Sequence, residues 1–389
     1  MPYDPYDPYQ SAELKTPLDT VLEPINPPHE YYENEIEDAE RQFEEIETTL
    51  SHLFRKPHEL LDGGSYAERV VDSLVERGHL SSATRTVVEV GGGMGHFAAG
   101  VLGEIQKRFG DTFGQLHYTI VDLAPTLRAE QKRRLTDAGF VDRVTWVAAN
   151  AESLDLEPGS VDLLLCNEVV GDFTVVKLTR EALGLDQTMV PEEAYASWSE
   201  SDVQKLGENG RLIRDYMLPL RDAPDEFYFN LGALQFVERV AAALKPGGSA
   251  YITEYGEVMK YPVASTQLDH LEFSIHFGHL HHLAKQLGLD AEVAYVQDLI
   301  KLDRDAMTLA TTRTYFSSLV AMLAHFGLTL DKTAWTKDMF ATLLGDTLPL
   351  EHIGDIRFRV VDERCMGLAP HEFKALLVKR PEAENETPA

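Results

Sequence analysis

The sequence predicts an α/β fold: an open, mostly parallel sheet with helices on both faces, joined to a mainly helical region. Three observations carry this. Apolar strand-like runs alternate with helical patterns between Thr86 and Gly256, an order that builds a helix-covered parallel sheet. The first run, VVEVGGGMGHF, carries Glu89, then Gly91, Gly92, Gly93 and Gly95, and then turns helical. The second run, LHYTIVD, ends on an acid, Asp122.

Each element follows from its residues. Residues 1–29 read as a flexible Pro/Tyr-rich arm, because prolines and acids at this density make no core. Residues 30–80 read as a helical region. An acidic helix is expected from Glu33 to Arg55, with Ile36, Phe43, Ile46, Leu50 and Leu53 at helical spacing and Pro57 as its stop. A second helix is expected from Ser65 to Arg77, capped by Ser65. The core spans 81–256. Its strands are Thr86–Val90, LHYTIVD, VTWVAAN ending at Asn150, VDLLLCNE ending at Glu168, and SAYITEYG. Helices are expected after the glycines, from Pro125 to Ala138, and from Leu231 to Leu244, where Lys245-Pro246-Gly247-Gly248 stops the last one. Residues 172–230 interrupt the core as an insertion of the length that substrate lids have. A mainly helical cap is expected at 257–353. Two antiparallel strands at 354–380, IRFRVVDE and EFKALLVKR, would complete the sheet, and 381–389 form a tail.

Composition narrows the function. The chain has 389 residues, 44% of them hydrophobic, enough for a proper core. A net charge of −29 disfavours a nucleic-acid track, which needs clustered Lys and Arg. No apolar run reaches the roughly 18 residues of a membrane span. The two cysteines, Cys166 and Cys365, make no disulfide framework, so reduced thiols in a cytoplasmic protein are expected. The acidic, Pro-rich start does not read as a secretory signal.

The candidate site lies where the strands end. Glycine tolerates positive φ and close ligand approach, so Gly91, Gly93 and Gly95, with Glu89 before them, read as a cofactor turn. Asp122 is placed to accept hydrogen bonds from both hydroxyls of a ribose, with Leu123 beside it; a cap for the Pro125 helix is the plainer role. Asn150 and Ala151 are placed against an adenine edge, though Asn also suits a turn. Asn167 and Glu168 follow LLLC, a poor place to bury a polar pair for packing alone, and Asp172 comes four residues later. The cofactor this set suits is S-adenosylmethionine. The histidines His276, His279, His281 and His282 have no recognised metal spacing, and no metal is expected; His276 is a candidate pocket residue and general base. Trp198, Tyr216, Phe227 and Tyr228 could line a pocket or pack the insertion.

With these parts in order, the chain resembles the Rossmann-like class I S-adenosylmethionine-dependent methyltransferases. Within them it resembles the MidA-like family, that of the mitochondrial complex I assembly arginine methyltransferase, as a divergent member. EVGGGMG is similar to the family's E-L-G-P-G-x-G, LCNEVVGDFTV to N-E-L-L-D-A-L-P-V, GSAYITEYG to its strand ending in D-Y-G, FGHLHHLAKQLGL to its D-F-x-x-L…A…G-L helix, and MGLAPHEFKALLVKR to its closing M-G-x-x-F-K-V-L. The resemblance runs from Thr86 to Arg380. Gly92 stands for a proline, Met94 for a basic residue, Gly171 for an aspartate that reappears one place late as Asp172, Thr174 for a proline, Glu254 for the aspartate of D-Y-G, and His276 for an acid. The resemblance implies methyl transfer to an N or O acceptor, a protein or peptide side chain such as arginine being one, with Glu168, Asp172 and His276 as the catalytic candidates. A small-molecule O/N-methyltransferase and a cofactor-binding assembly or scaffold protein with little turnover are the alternatives. The partners expected are a protein, peptide or small-molecule acceptor and a second copy in a homodimer, with neither nucleic acid nor membrane.

Overall fold

The computed structural model describes residues 21–25, 29–37, 39, 50, 55–58, 61–185, 190–267, 270–302, 306–308, 325, 327, 334–336 and 373–382. The expected arm tyrosines Tyr3, Tyr6 and Tyr9, most of the acidic helix, most of the cap and the first closing strand lie outside these residues.

Along the chain the main elements are α1 (Tyr66–Glu76), β1 (Thr86–Val90), α2 (His96–Phe113), β2 (His117–Val121), α3 (Pro125–Asp137), β3 (Val144–Val147), β4 (Val161–Asn167), β5 (Val175–Thr179), α4 (Glu200–Asp215), β6 (Glu226–Phe229), α5 (Leu231–Ala243), β7 (Leu244–Glu257), α6 (Phe277–Gln286), β8 (Asp290–Tyr295) and β9 (Phe373–Lys379). The central sheet runs β8-β9-β7-β4-β1-β2-β3, and the two-residue strand Ile275–His276 pairs with the end of β7. β3, β2, β1, β4 and β7 are mutually parallel; β9 runs antiparallel to β7, and β8 antiparallel to β9. The chain leaves β1 in one direction for β2 and β3 and returns beyond β1 to place β4. The switch point between β1 and β4 is where open α/β sheets form a ligand crevice.

Side-chain alternation divides the sheet between two cores. Val88, Val90, Leu164, Cys166, Ala250 and Ile252 pack on one face with α5 and α6, while Val87, Leu163, Leu165 and Tyr251 pack on the other with α1 and α2. A strand covered on both faces needs apolar residues at successive positions, and Leu163 to Cys166 supply them. α1 starts as its sequence predicts: Ser65 Oγ accepts the Glu68 N–H at 3.2 Å.

Several expectations need correcting. The helix expected from Glu33 does not start there: His29–Glu33 is a short helix that ends at Glu33, and 34–37 are non-helical. Residues Pro24–Ile25, expected in a loose arm, pair antiparallel with Val175 and Val176 and form a small sheet with β5 and β6. Within the insertion, residues 191–215 form two helices, Pro191–Ala196 and α4, the second started by a capping box of Ser199 and Asp202. Lys245-Pro246-Gly247-Gly248 ends α5 but continues as the irregular start of β7. Residues 257–302 are not mainly helical. They carry the hairpin Ala264–Gln267/His270–Phe273 and the strand β8, which takes the place beside β9 expected of IRFRVVDE. Among the described residues, no helix is long and apolar enough to cross a membrane.

Candidate functional site

Register brings the candidate residues to one edge. Val90 pairs with Val121 and Cys166, Val121 with Val147, and Asn167 with Thr253. Residues 91, 122, 148–151 and 168 therefore leave neighbouring strands at the same, carboxyl, end, level with Glu254 near the end of β7.

The glycine turn is built by φ. Gly91, Gly93 and Gly95 have φ of +71°, +47° and +81°. A Cβ on Gly91 would lie 2.2 Å from Val169 Cγ2, so Val169 packs directly on the backbone there; a Cβ on Gly93 would meet nothing within 4 Å. Gly93 is the open point of the turn, where a ligand can approach the main chain.

Behind the turn stands a residue the sequence reading missed. Gln131 of α3 is fully buried. Its Nε2 donates to Gly93 O at 2.9 Å and to Asp122 Oδ2 at 2.6 Å. Both partners are acceptors, so the amide orientation is unambiguous. Gln131 Oε1 is buried and has no partner among the described residues. One turn either side, Arg128 Nη1 donates to Asp122 O and Leu123 O, and Arg134 Nε to Met94 O. The spacing 128, 131, 134 is a helical stripe that the sequence does show, but a polar stripe reads as a solvated face.

Asp122 accepts three N–H groups: Gly92 N and Gln131 Nε2 on Oδ2, and Ala124 N on Oδ1. A carboxylate offers about four acceptor positions, so one position remains, enough for one ribose hydroxyl and not the two expected. The Ala124 bond also gives Asp122 the plainer role of starting α3. Burial pushes its carboxyl up to about 6, against the lowering effect of those bonds. Glu89 is turned into the core and accepts the Tyr118 hydroxyl at 2.8 Å, with burial raising it to about 8; it supports the turn from beneath rather than facing a ligand. Asn150 Oδ1 accepts Glu152 N–H at 2.9 Å and caps the short helix Ala151–Ser153, the turn role weighed against an adenine contact. Ala151 is buried and Leu123 half-buried.

At the end of β4 a buried polar network converges. Asn167 Oδ1 accepts the Tyr66 hydroxyl at 2.6 Å and the Thr253 hydroxyl at 3.0 Å, and the Tyr66 and Tyr251 hydroxyls meet at 3.2 Å. Asn167 Nδ2 donates to Glu168 Oε1 at 3.0 Å. Glu168 has φ +56°, an uncommon conformation for a non-glycine residue and one associated with functional sites. Nothing in the sequence near Tyr66 announces this contact, which spans 101 positions. Glu254 is buried, with Oε2 accepting Gly171 N–H at 3.0 Å and Oε1 accepting Tyr255 N–H at 2.8 Å. Burial, then Glu272 and Glu168, hold its carboxyl well above the usual range. Two departures from the resembled motifs explain each other here. A Cβ on Gly171 would lie 3.1 Å from Glu254 Cδ and Oε2, so a side chain at 171 would crowd the longer acid at 254. Asp172 closes the turn Val170–Asp172, its N–H bonded to Val169 O at 3.0 Å.

His276 is a correction. Its Nδ1 accepts His279 N–H at 3.1 Å as the N-cap of α6, and its own N–H donates to Asn230 Oδ1. In neutral imidazole the other nitrogen then carries the proton, so no free lone pair is left for a general base. Burial lowers it to about 4, which keeps it neutral. Its ring stacks on His279 at 3.7 Å; His279, His281 and His282 bond the carbonyls of Pro219, Ala291 and Tyr216. Among the described residues, no group of three or more His, Cys, Asp or Glu is placed to hold a metal. Of the insertion aromatics, Phe227 packs edge-on against Tyr261 and Tyr228 against Phe273, Trp198 packs at a tilt on Tyr195, and Tyr216 donates to Glu238.

An open glycine turn, an acid with one acceptor position left at the end of β2 and a polar end to β4 fit a cofactor bearing an adenosine. The family model described as "Putative S-adenosyl-L-methionine-dependent methyltransferase" matches residues 70–282, and the chain belongs to that family. S-adenosylmethionine is its cofactor. Comparison with curated proteins finds no match. Among solved structures, the chain is similar to an uncharacterized superfamily protein from Burkholderia thailandensis, with 17% identity over 91% of this chain and 87% of that one and a TM-score of 0.44. A member of the same superfamily from that organism, bound to S-adenosyl-homocysteine, shares 16% identity over the same fractions with the same TM-score. Phosphoethanolamine N-methyltransferase 2 of Haemonchus contortus shares 14% identity over 80% of this chain and 52% of that one, with a TM-score of 0.37.

Proposed function

We propose that the chain transfers a methyl group from S-adenosylmethionine to a nitrogen of a cationic protein or peptide side chain, arginine being the type that the resemblance to the MidA-like family implies. The observation that supports this is the grouping of acids at the carboxyl edge: Glu168 in a left-handed conformation, buried Glu254, and Glu272 close enough to Glu254 to raise it. Such a grouping favours a cationic partner, because charge-assisted hydrogen bonds to a guanidinium are strong and directional. The bound cofactor supplies a methyl on a sulfonium, and the protein supplies position. Gly93 and Asp122 hold the adenosine end. Asn167 fixes the Glu168 carboxylate through its amide, and Glu168 and Asp172 orient the acceptor nitrogen, with Glu168 holding its departing proton. The overall charge of −29 favours encounter with a basic partner.

The experiment is turnover of methyl-labelled cofactor on a host lysate, followed by acid hydrolysis of the labelled product. Labelled methylarginine is the expected result. Label in a small metabolite would move the reading to a small-molecule acceptor, and cofactor binding with no label in either fraction would move it to an assembly protein. Glu168→Gln should lower kcat by at least tenfold with cofactor affinity kept; full turnover would remove Glu168 from the site.

A further inference from the structure

The glycine turn is covered from outside by a part of the chain that lies beyond residues 70–282 of the family match. Met94, in the turn itself, is 2% exposed. It is buried in a small cluster with Ala124 and Leu127, which follow β2, and with Ile36 and Ala39 from the N-terminal segment; Tyr31 and Tyr32 pack against the same cluster. Ile36 N–H donates to Thr126 Oγ1 at 3.2 Å, and the two tyrosine rings meet edge to face at 5.1 Å. The segment therefore bridges the two loops between which the adenosine is read to lie, the turn after β1 and the turn after β2.

An apolar side chain in such a turn calls for an explanation, since the carboxyl edge of an open sheet faces water or ligand. Met94 escapes water because Ile36 and Ala39 are packed with it. Its identity follows too: a lysine or arginine there would leave a charge under an apolar cover. Tyrosine suits a wall against adenosine, having an apolar ring and a polar tip.

We propose that the segment carrying Tyr31, Tyr32, Ile36 and Ala39 is the outer wall of the cofactor site, seated on Met94, and that it sets how tightly and how long the cofactor is held. This rests on the cofactor reading above and goes beyond it by adding residues that the family frame does not supply. A wall seated on both loops must part for the ligand to enter or leave. The ligand in turn ties the loops together and stabilises the seat.

The test uses the full chain and S-adenosylhomocysteine as the probe. Hydrogen exchange should slow on adding it, both in residues 91–95 and in residues 31–37. Ile36→Asp should weaken its binding roughly tenfold, about 1.4 kcal/mol, with a faster dissociation rate; Ile36→Ala, the variant safer for folding, should shift both the same way to a smaller extent. A role confined to stability would lower Tm yet leave the dissociation rate of the folded fraction unchanged. Protection of 91–95 without protection of 31–37 overturns the proposal, as do folded variants with wild-type affinity and dissociation rate. No binding by the intact chain would overturn the cofactor reading itself, a result distinct from either.

Discussion

At the residue scale, the acids of the site work against the fold as pH rises. Glu89 is buried with one partner, the Tyr118 hydroxyl, and burial takes its carboxyl to about 8; the charge of Asp122 adds to this. The folded value lies above the unfolded one, so the folded state binds the proton more tightly. The contribution to stability is complete below the unfolded value, roughly 4.3, and is lost as pH climbs through about 8. Asp122 follows the same sign, with its loss finished lower, as pH passes about 6. Glu89→Gln keeps an acceptor for Tyr118 and cannot ionise. Its Tm should be close to that of the wild type at pH 5 and clearly higher at pH 9, on the order of ten degrees at roughly 2–4 °C per kcal/mol for a domain of a couple of hundred residues. A Tm difference identical at both pH values would refute the burial argument. The acid itself was legible as part of the motif, but its role was not. Tyr118 is a diagonal neighbour of Glu89 across β1 and β2, and only the register puts them on one face.

At the element scale, α3 holds the cofactor turn more than it holds the core. Arg128, Gln131 and Arg134 all bond backbone carbonyls of the turns beside it, and Gln131 adds the Asp122 carboxylate. Gln131→Leu keeps the size and the helix propensity but leaves Gly93 O and Asp122 Oδ2 short of a donor. Leaving such a buried group unpaired costs about 1–3 kcal/mol. Tm should fall accordingly, and calorimetry should show weaker S-adenosylhomocysteine binding because Gly93 and Asp122 lose their shared anchor. Unchanged affinity in a folded Gln131→Leu protein would reduce α3 to a packing element. The strands β1 and β4 and the glycine turn were legible because a strand buried on both faces announces itself by continuous apolar residues. β8, with the sequence DAEVAY, was not. It lies at an edge, two of its six residues are acids, and its partner Phe373–Lys379 is about eighty positions downstream. β5 and β6 were missed for a similar reason: their pairing with each other and with Pro24–Ile25 is long-range, and each is too short for its alternation to stand out.

At the scale of the whole molecule, the insertion 172–230 is tied down rather than hinged. Its aliphatic residues Leu212, Ile213, Leu218 and Leu220 are buried in the same core as one sheet face. Its end is fixed by Asn230, whose amide donates to Ser274 O and accepts His276 N–H. α6 holds it through His279 on Pro219 O and His282 on Tyr216 O. α5 holds it through Glu238, which takes both Arg211 Nη atoms, at 2.9 and 2.7 Å, and the Tyr216 hydroxyl at 2.6 Å. These bonds hold the Glu238 carboxyl below its usual range although burial pushes it upward. Its folded value is therefore depressed, so this clamp is complete above the unfolded value and weakens as pH falls through the folded one. The pair is partly exposed, so its net worth is discounted toward about 1 kcal/mol. That is small against global stability but large for the local opening of a lid. Arg211→Lys keeps the charge and loses the planar fork that meets both carboxylate oxygens. Limited proteolysis at neutral pH should then cut the turn at 221–225 several-fold faster, with Tm lowered by no more than a few degrees. If the insertion contacts the methyl acceptor, KM for the acceptor should rise while the affinity for S-adenosylhomocysteine stays constant, because none of the clamp residues touches the glycine turn. Cutting at the wild-type rate would mean that the apolar core alone fixes the insertion. Since Glu238 needs no fork once it is protonated, the difference between variant and wild type should also shrink once pH falls below the ordinary glutamate range and through the lowered Glu238 value, and that convergence separates loss of the clamp from a general loosening of α4.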